Sequence, residues 1–496
     1  MLAVSDEYTF IMVLIKMKNA LLTGNIPQIF SYSFFNYGFA YFFGLLLITL
    51  PAILLQKWEL VILLPRIFSA ISALLTAFFI QKTLGKAPKP IIFLALFGLA
   101  SMPGFWIYGT WFHPDWSMTA ALLAAVFAFH KDCWQLKKYY WMGSVCLGIA
   151  MGIKFQALTF VPLLGLYLIQ AKQFPYWQRF KFGILGFGIT TITFLACNPY
   201  LIHPQGRIAF LRALRINMIS NANNHGVGTI VSLQSKLEGA IGTYFFRPEL
   251  AAILFAIIVV ITIRFWIPFK KQPLLLDSVA VITCVNLIYL FFAVNKNWGH
   301  YYIAPMTLGW LVVMGELARL KKKQAHILTG IVCIAVIWNL AKSTPTMYAH
   351  CQNTPYKLAL QKAAPLTHEI TQTLLGKTTS QMTILADSST VIDTNSLAIP
   401  FEAIHRVYGP LRKDHFDESA HHKRFLDLGL THYPSFIPKS WIVIDASLLG
   451  LKQYENRADF QDYKDGIQII EALQKGQFGY HMIYQSERVI IFARDK

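Results

Sequence analysis

Two acidic motifs in this sequence carry residue types that could do chemistry. Asp6 and Glu7 are adjacent carboxylates at the head of an amphipathic segment. Paired acids near a membrane interface can act as a general base on a hydroxyl group, or can help to hold a divalent cation. The alternative is an ordinary acidic helix start, because the helix dipole favours negative charge there.

The second motif is GTWFHPDW, residues 109–116, in which His113 and Asp115 lie within one turn of each other. Ionisable groups at the edge of a membrane domain are costly unless they serve a site. The alternative for Asp115 is a cap on the following helix. The motif therefore predicts either a functional imidazole–carboxylate pair or a plain helix start.

Two basic residues interrupt apolar segments. Lys154 lies in GIAMGIKFQAL and Arg66 lies in LLPRIFSAIS. We expect neither charge to face lipid. Lys154 can meet a phosphate, pair with a carboxylate, or extend its amine to the interface. Arg66 is either an internal salt-bridge partner or a phosphate ligand.

Further along the chain, basic and aromatic residues occur together in NWGHYYIAP, residues 297–305. His300 and Tyr301 could contact a lipid phosphate there. The alternative is an aromatic belt, which is the commoner position of Trp and Tyr at an interface. Each of these signals is weak alone, and it is their convergence on one face of the membrane that predicts a site.

The bulk composition requires a lipid solvent for most of the chain. Of 496 residues, 55% are hydrophobic and 14% are charged, and the mean hydropathy is +0.46. Soluble domains carry about 25% charged residues. Basic residues kept in cytoplasmic loops and near anionic headgroups explain the net charge of +19. Because no basic, aromatic-interleaved module is present, we predict no nucleic-acid partner.

Apolar runs predict a polytopic α-helical membrane protein with about ten spans plus juxtamembrane helices. The runs are 61–82, 90–107, 115–130, 139–152, 156–171, 182–197, 249–268, 277–294, 301–319 and 324–341. Residues 9–22 are predicted to form an interfacial helix, because lysines interrupt them. Residues 39–56 are predicted to form a re-entrant or juxtamembrane element.

Loop charges predict the orientation. By the positive-inside rule, the loops rich in Lys and Arg are cytoplasmic. These loops are 82–89, 131–138, 172–181, 264–272 and 319–323. The N-terminus, the long loop 198–248 and everything after residue 341 are then extracytoplasmic. We therefore expect an integral protein of the cell inner membrane whose C-terminal domain lies outside the cytoplasm.

From about residue 345 the composition becomes that of an ordinary soluble domain. The segments that read as strands are 382–387, 439–447 and 480–494, and those that read as helices are 356–375 and 462–475. We predict a transmembrane domain over 1–344 and a small α/β domain over 345–496. The six cysteines are scattered without C-x-x-C spacing, so neither a zinc site nor a disulfide framework is predicted.

Taken in order, these motifs resemble the GT-C class of membrane glycosyltransferases. The resemblance is strongest to the family that includes protein O-mannosyltransferases and lipid A aminoarabinose transferases. That family has an Asp-Glu pair in its first outer loop, matched here by Asp6-Glu7, and a second outer Asp before a helix, matched by Asp115. The looser matches are Thr23-Gly24-Asn25, Tyr37-Gly38-Phe39, Pro65-Arg66-Ile67, Gly148 to Phe155, Asn198-Pro199-Tyr200 and Tyr302-Ile303-Ala304-Pro305.

The chain also departs from that family. The family has a transmembrane helix ahead of its Asp-Glu loop, whereas only Met1 to Ser5 precede the pair here, so a first helix is expected to be missing from this chain or to lie before its assigned start. The family's Pro-Pro in the early outer loop is absent. That part of the donor pocket is therefore expected to differ.

The resemblance implies transfer of a sugar from a polyprenyl-phosphate donor to an envelope acceptor, which is a lipid, a glycan or a protein, on the outer face of the membrane. It implies one displacement with inversion, in which Asp6 is the general base and Glu7 and Asp115 share the catalytic site. The residues implied to bind the donor phosphate are Arg66, Lys154, His300 and Tyr301, and those implied to orient the acceptor or the base are His113 and Tyr37. No metal ligand is assigned, although some members of the class use a divalent metal.

A transporter or flippase of a lipid-linked sugar is the main alternative, and a membrane scaffold or polymer ligase is a third. A transporter predicts charged residues near the bilayer midplane and inverted repeats with broken helices. In this sequence the acids lie at one face, and no repeat is detectable. The sequence therefore favours the glycosyltransferase.

Overall fold

The computed structural model describes residues 5–30, 35, 37–222, 231–266, 275–351, 354–379, 381–387, 390, 392–393, 396–399, 403–407, 411–427, 438–449 and 460–495. The chain divides into two compact units. The first is helical and ends at Cys351, and the second spans mainly Gln352–Lys496. Residue 345 falls within the last helix of the first unit, and the predicted division after residue 344 stays a prediction.

Helices form nearly all of the described part of the first unit. In chain order they are α1 (Ser5–Leu22), α2 (Ile26–Phe30), α3 (Phe39–Leu54), α4 (Trp58–Thr83), α5 (Lys89–Ala100), α6 (Pro103–Gly109), α7 (Asp115–Asp132), α8 (Lys138–Ile153), α9 (Pro162–Gln170), α10 (Tyr176–Cys197), α11 (Pro204–Ala222), α12 (Leu233–Ser235), α13 (Gly242–Tyr244), α14 (Pro248–Trp266), α15 (Leu275–Phe292), α16 (Ile303–Leu317) and α17 (Lys322–Cys351). Shorter helical turns are Phe155–Phe160, Pro199–Ile202, Lys236–Ile241 and Gly299–Tyr302. Proline opens α6 and α9, where its missing N–H leaves no intrahelical bond unmade.

Five of the described helices, α4, α10, α14, α15 and α17, are long and apolar enough to cross a membrane. A bilayer core needs about 20 apolar residues. The chain is therefore an integral membrane protein with a mostly helical first unit. These five helices correspond to five of the ten predicted spans, and the count of about ten is not confirmed.

The other predicted spans form shorter or interrupted helices. Residues 90–107 become α5 and α6, which are bent by 59° at their junction. Residues 156–171 contain a 3₁₀ turn before the nine residues of α9. The run 115–130 becomes α7, which begins at the buried Asp115 and ends at the buried Asp132. Polar groups and helix breaks therefore replace uniform apolar spans in this part of the unit.

The N-terminal helix α1 differs from the interfacial helix predicted for residues 9–22. Phe10, Leu14 and Met17 are completely buried within the protein. Phe10 packs edge-to-face against the rings of Tyr37 and Phe112. The apolar side of α1 is therefore covered by neighbouring elements and not by lipid headgroups.

The described part of the second unit is a small α/β fold. Its elements are α18 (Thr354–Leu374), β1 (Ile384–Asp387), β2 (Ile404–Val407), α19 (Glu418–Asp427), β3 (Trp441–Asp445), α20 (Phe460–Gln474), β4 (Tyr480–Gln485) and β5 (Val489–Arg494). The strand order is β2-β1-β3-β5-β4. The central strand β1 pairs parallel with β2 and β3, and β5 pairs antiparallel with β3 and β4. The strand prediction at 480–494 becomes a hairpin, and β2 was not predicted.

Candidate active site

A close approach of two backbone segments forms the base of the site. Tyr37 pairs with Lys154 as an isolated antiparallel bridge, and the Gly38 N–H donates to the Ile153 carbonyl over 2.9 Å. A Cβ on Gly38 would lie 1.3 Å from the carbonyl oxygen of Gly152, so only glycine fits at position 38. The pairing brings the segment before α3 against the end of α8.

A side chain from the end of α10 secures this junction. The Phe39 N–H donates to Oδ1 of Asn198 over 3.0 Å, and Nδ2 of Asn198 donates to the Phe194 carbonyl over 3.0 Å. Asn198 is 1% exposed. It therefore connects the first turn of α3 to the last turn of α10.

Four polar side chains, three of them buried, form a hydrogen-bonded chain above this base. The Tyr37 hydroxyl lies 3.1 Å from Nε2 of His113. Nδ1 of His113 contacts Oδ2 of Asp115, and Oδ1 of Asp115 accepts from Nζ of Lys154 over 2.6 Å. A neutral imidazole with its proton on Nδ1 satisfies both of its contacts. Because Asp115 opens α7 and Lys154 follows α8, the ion pair also joins these two helices.

A second ion pair lies beside the first. Nε and Nη2 of Arg66, in α4, donate to the two oxygens of Glu7 over 2.8 and 2.6 Å. Oε1 of Glu7 also accepts from the Phe112 N–H over 2.9 Å. The Glu7 side chain is completely buried and that of Arg66 is 18% exposed. This bidentate geometry fixes the carboxylate next to the segment that carries His113.

Aromatic side chains enclose the imidazole of His113. The Trp111 ring stacks on it with centroids 4.7 Å apart, and the Phe10 ring lies 5.5 Å from it. Nε1 of Trp111 is buried without a hydrogen-bond partner among the described residues. An indole donor in this position is available to a ligand oxygen. The sequence predicted no role for Trp111, although this residue lies within the motif at 109–116.

His300 and Tyr301 approach the same cluster from the turn between α15 and α16. The His300 ring lies 4.9 Å from that of His113, and Nζ of Lys154 lies 5.3 Å from the Tyr301 ring. Burial lowers the pKa of His300 well below its usual range, although the Asp115 charge opposes this shift. The imidazole is therefore neutral, and its unprotonated ring nitrogen can accept a hydrogen bond or bind a cation.

Three side chains have the chemistry of a metal site. His113, Asp115 and His300 are all buried, and each offers a ligand atom within 4.8 Å of the others. Imidazole and carboxylate are ligands that zinc and similar divalent ions accept. Both oxygens of Asp115 already contact a neighbouring group, His113 or Lys154. A bound ion would therefore have to displace one of these contacts.

Eight of the nine residues selected from the sequence lie in one connected cluster. They are Tyr37, Arg66, His113, Asp115, Lys154, His300, Tyr301 and Glu7. Asp6 belongs to α1, but its side chain lies outside the described residues. Sequence reasoning gave no role to Gly152 or to the amide of Asn198. Both residues lie inside motifs that resemble those of the GT-C family, and no other feature of the sequence indicated them.

No protein-family model and no curated protein sequence matches the chain. Among solved structures, ArnT from Cupriavidus metallidurans in the apo state aligns with 98% of this chain and 93% of its own, at a TM-score of 0.53 and 11% identity. The chain has the GT-C fold. The same ArnT bound to undecaprenyl phosphate aligns with 92% of this chain and 88% of its own, at a TM-score of 0.50 and 11% identity. The resemblance to GT-C proteins stated from the sequence is thereby confirmed for the fold.

The GT-C fold explains why the site residues are so far apart in the sequence. The charged side chains come from α1, α4, the start of α7 and the end of α8, and His300 comes from the turn before α16. Their convergence makes a polar, enclosed cluster inside an apolar helical unit. Such a cluster is costly in a membrane protein unless it serves chemistry or transport.

Proposed function

We propose that the protein is an inverting glycosyltransferase that takes a sugar from a polyprenyl-phosphate donor and transfers it to an envelope acceptor on the outer face of the membrane. The observation that carries the proposal is the hydrogen-bonded chain Tyr37–His113–Asp115–Lys154, of which the last three members are buried, next to the Glu7–Arg66 pair in a GT-C fold. One protein of this fold binds undecaprenyl phosphate. A membrane-embedded enzyme suits a donor whose tail never leaves the bilayer.

The proposed reaction is a single displacement at the anomeric carbon. A bond forms between the acceptor oxygen and that carbon, and the bond from the carbon to the donor phosphate oxygen breaks. The acceptor proton passes to the carboxylate of Asp6, and the electron pair of the broken bond leaves with the phosphate. One attack from the face opposite the leaving group inverts the anomeric centre, and no covalent intermediate is needed.

The basic residues would stabilise the leaving phosphate. Lys154 is held by Asp115 at 2.6 Å and its amine also lies over the Tyr301 ring. A fixed ammonium group stabilises developing negative charge without reorganising during the reaction. His300 and the Trp111 indole N–H line the same cluster and are proposed as further phosphate or sugar contacts.

Glu7 is proposed to act by position and not as a base. Both of its oxygens accept charge-assisted bonds from Arg66, and one also accepts from the Phe112 backbone. These bonds fix the carboxylate against Arg66 and the Phe112 backbone. Glu7 would therefore hold Arg66 and the His113 segment in place, which leaves Asp6 as the candidate base.

A divalent cation fits the donor set of His113, Asp115 and His300, all of which are buried. If a cation occupied this set, it would supply Lewis-acid stabilisation of the phosphate. Asp115 would then hold the cation in addition to orienting Lys154. The C-terminal unit is proposed to lie on the outer face of the inner membrane, where it would help to recognise the acceptor.

The test is product formation in membranes by Asp6→Asn and Asp115→Asn, with Glu59→Gln as the matched control because Glu59 is exposed at the start of α4. Loss of a general base lowers such rates by about 100-fold or more. We expect that loss for Asp6→Asn when its membrane insertion is normal. We expect a loss of product for Asp115→Asn as well, because Lys154 loses the carboxylate that holds it, and full product for Glu59→Gln. Full product from Asp6→Asn would remove Asp6 as the base. Retention by both variants would refute the transferase and leave transport of a lipid-linked sugar to be tested.

A further inference from the structure

A groove between α9 and α10 lies outside the candidate active site. It encloses about 700 Å³ and its lining is almost entirely apolar or uncharged. Phe180 and Phe187 form part of its α10 wall and Leu168 part of its α9 wall. Arg179 is the one charged residue in this lining. The groove is therefore apolar, with one cationic side chain at its end.

Small residues on α10 create the space. Gly188 lines the groove, and a Cβ at this position would meet no atom within 4 Å. The neighbouring rings of Phe180 and Phe187 are 51% and 56% exposed. Because α10 is one of the helices long and apolar enough to cross the membrane, these rings face lipid chains. A hydrocarbon chain fits between them more closely than against a smooth helix surface.

The guanidinium group of Arg179 is only partly used by the protein. Nη1 donates to the Ile169 carbonyl over 3.2 Å. Nε is buried and has no hydrogen-bond partner among the described residues. A guanidinium group offers five donors in a planar fork that matches phosphate. The remaining donors at the end of an apolar groove are therefore suited to a lipid phosphate.

Local charge favours an anionic ligand. Lys172 and Lys181 flank Arg179 in the sequence, and no acidic residue lies between positions 171 and 182. Both lysines are exposed. Each basic residue near a membrane surface attracts an anionic lipid by about 1 kcal/mol. A zwitterionic headgroup carries its own cation and gains less from this cluster.

The position along α10 separates the groove from the donor site. Asn198, which binds the Phe39 backbone in the candidate active site, lies 198 − 179 = 19 residues after Arg179. At 1.5 Å per helical residue this is roughly 28 Å. The bilayer hydrocarbon core is about 30 Å thick. Arg179 therefore lies near the membrane surface opposite the candidate active site.

We propose that the α9–α10 groove binds one anionic phospholipid of the leaflet opposite the candidate active site. An acyl chain lies in the groove against Phe180 and Phe187, and the phosphate accepts hydrogen bonds from Arg179. The bound lipid fills the space over Gly188 and satisfies the buried Nε. This site is separate from the proposed sugar transfer and does not depend on it.

The experiment measures lipid binding by the delipidated full-length protein with native mass spectrometry. The probes are phosphatidylglycerol and phosphatidylcholine with identical acyl chains. Arg179→Gln removes the charge, and Gly188→Leu fills the groove. Lys181→Gln and Gly165→Leu are the matched controls, because Lys181 does not line the groove and Gly165, on α9, has open space around its Cα.

We expect the wild-type protein to bind one phosphatidylglycerol in preference to phosphatidylcholine. Arg179→Gln and Gly188→Leu should each weaken phosphatidylglycerol binding by about tenfold, since a charge-assisted bond contributes about that factor. Gly165→Leu should bind within about twofold of wild type. Lys181→Gln should weaken binding by no more than about fivefold, because Lys181 attracts the anionic lipid by about 1 kcal/mol without lining the groove. Thermal unfolding of each variant checks that it is folded, and Arg179→Lys should restore part of the affinity.

Three outcomes would overturn the proposal. Equal binding of phosphatidylglycerol and phosphatidylcholine would mean that the protein binds only annular lipid, without a specific site in the groove. Equal weakening by Lys181→Gln and Arg179→Gln would mean general surface attraction without a site. Displacement of phosphatidylglycerol by a lower concentration of undecaprenyl phosphate would reassign the groove to the donor lipid.

Discussion

The ion pair between Glu7 and Arg66 gives the sharpest test of the site geometry. Glu7→Gln removes the charge but keeps the shape of a side chain that is completely buried. Three hydrogen bonds to its carboxylate weaken, and the two from Arg66 lose the charge of their acceptor. Removing one partner of a buried pair costs about 3–5 kcal/mol. Because Arg66 is 18% exposed and keeps some hydration, we expect the lower end, about 3 kcal/mol.

Substitution of the other partner, Arg66, affects the more deeply buried charge, which is that of Glu7. Arg66→Gln removes both guanidinium bonds to the Glu7 carboxylate and keeps the bond from the Phe112 backbone, so we expect a loss of about 4 kcal/mol. The double variant removes both charges, so its loss of unfolding free energy should be much smaller than the sum of the losses in the two single variants. We expect a coupling free energy of at least about 2 kcal/mol.

The assay is equilibrium unfolding of the full-length protein in mixed micelles of increasing SDS content, for the wild type, both single variants and the double variant. Glu59→Gln, an exposed acid on the same helix as Arg66, should change the free energy of unfolding by less than about 0.5 kcal/mol. Additive losses, or a Glu7→Gln loss below about 1 kcal/mol, would refute the buried pair. Product formed by the double variant would show that neither side chain is needed for the chemistry, whereas a stable double variant without product would show that at least one of them is needed.

Two further predictions address the backbone junction and the second unit. Gly38→Ala places a Cβ 1.3 Å from the carbonyl oxygen of Gly152, so it should lower stability by about 3 kcal/mol or more and abolish product. The control Gly44→Ala, on α3, meets no atom within 4 Å, so it should keep full product and raise stability by up to about 1 kcal/mol. Burial, with a smaller effect of the Lys439 charge, lowers the pKa of His405 from 6.5 to about 4. As the pH falls, His405 is therefore protonated in the unfolded state before it is protonated in the folded state. The unfolding free energy of the second unit should decrease by up to about 3 kcal/mol as the pH falls from 6.5 towards 4. Hydrogen exchange of the strand Ile404–Val407 in the full-length protein measures this loss, and a pH dependence equal to that of His405→Gln would contradict the assignment.

The sequence predicted which residues belong together better than it predicted how they pair. Ionisable groups are costly in apolar surroundings, and this cost identified Asp115, Lys154 and Arg66 as candidate site residues without a structure. Their partners could not be derived, because each pair joins segments tens of residues apart and spacing carries no information on such contacts. Arg66 was open between a salt bridge and a phosphate ligand, and only the fold places Glu7 beside it.

The helix count shows a second limit of sequence reasoning. A hydropathy run indicates that a segment is apolar, but not whether lipid or protein surrounds it. In α15, 78% of the apolar stretch is buried inside the protein, whereas in α17 only 11% is. The break at Lys154 was visible as a charge within the run 139–171. The sequence did not predict that Tyr37 would form a β-bridge with Lys154 at this break, because a single bridge of two residues leaves no periodic pattern in the sequence.

The pairing of charges in the candidate site has a consequence for how the donor arrives. Glu7 is matched by Arg66 and Asp115 by Lys154, so these four charges cancel and project little field into the surroundings. Long-range steering would therefore contribute little to donor capture. A donor anchored in the bilayer reaches such a site by lateral diffusion in two dimensions, and its capture rate should depend on its surface density in the membrane and hardly on the ionic strength of the buffer.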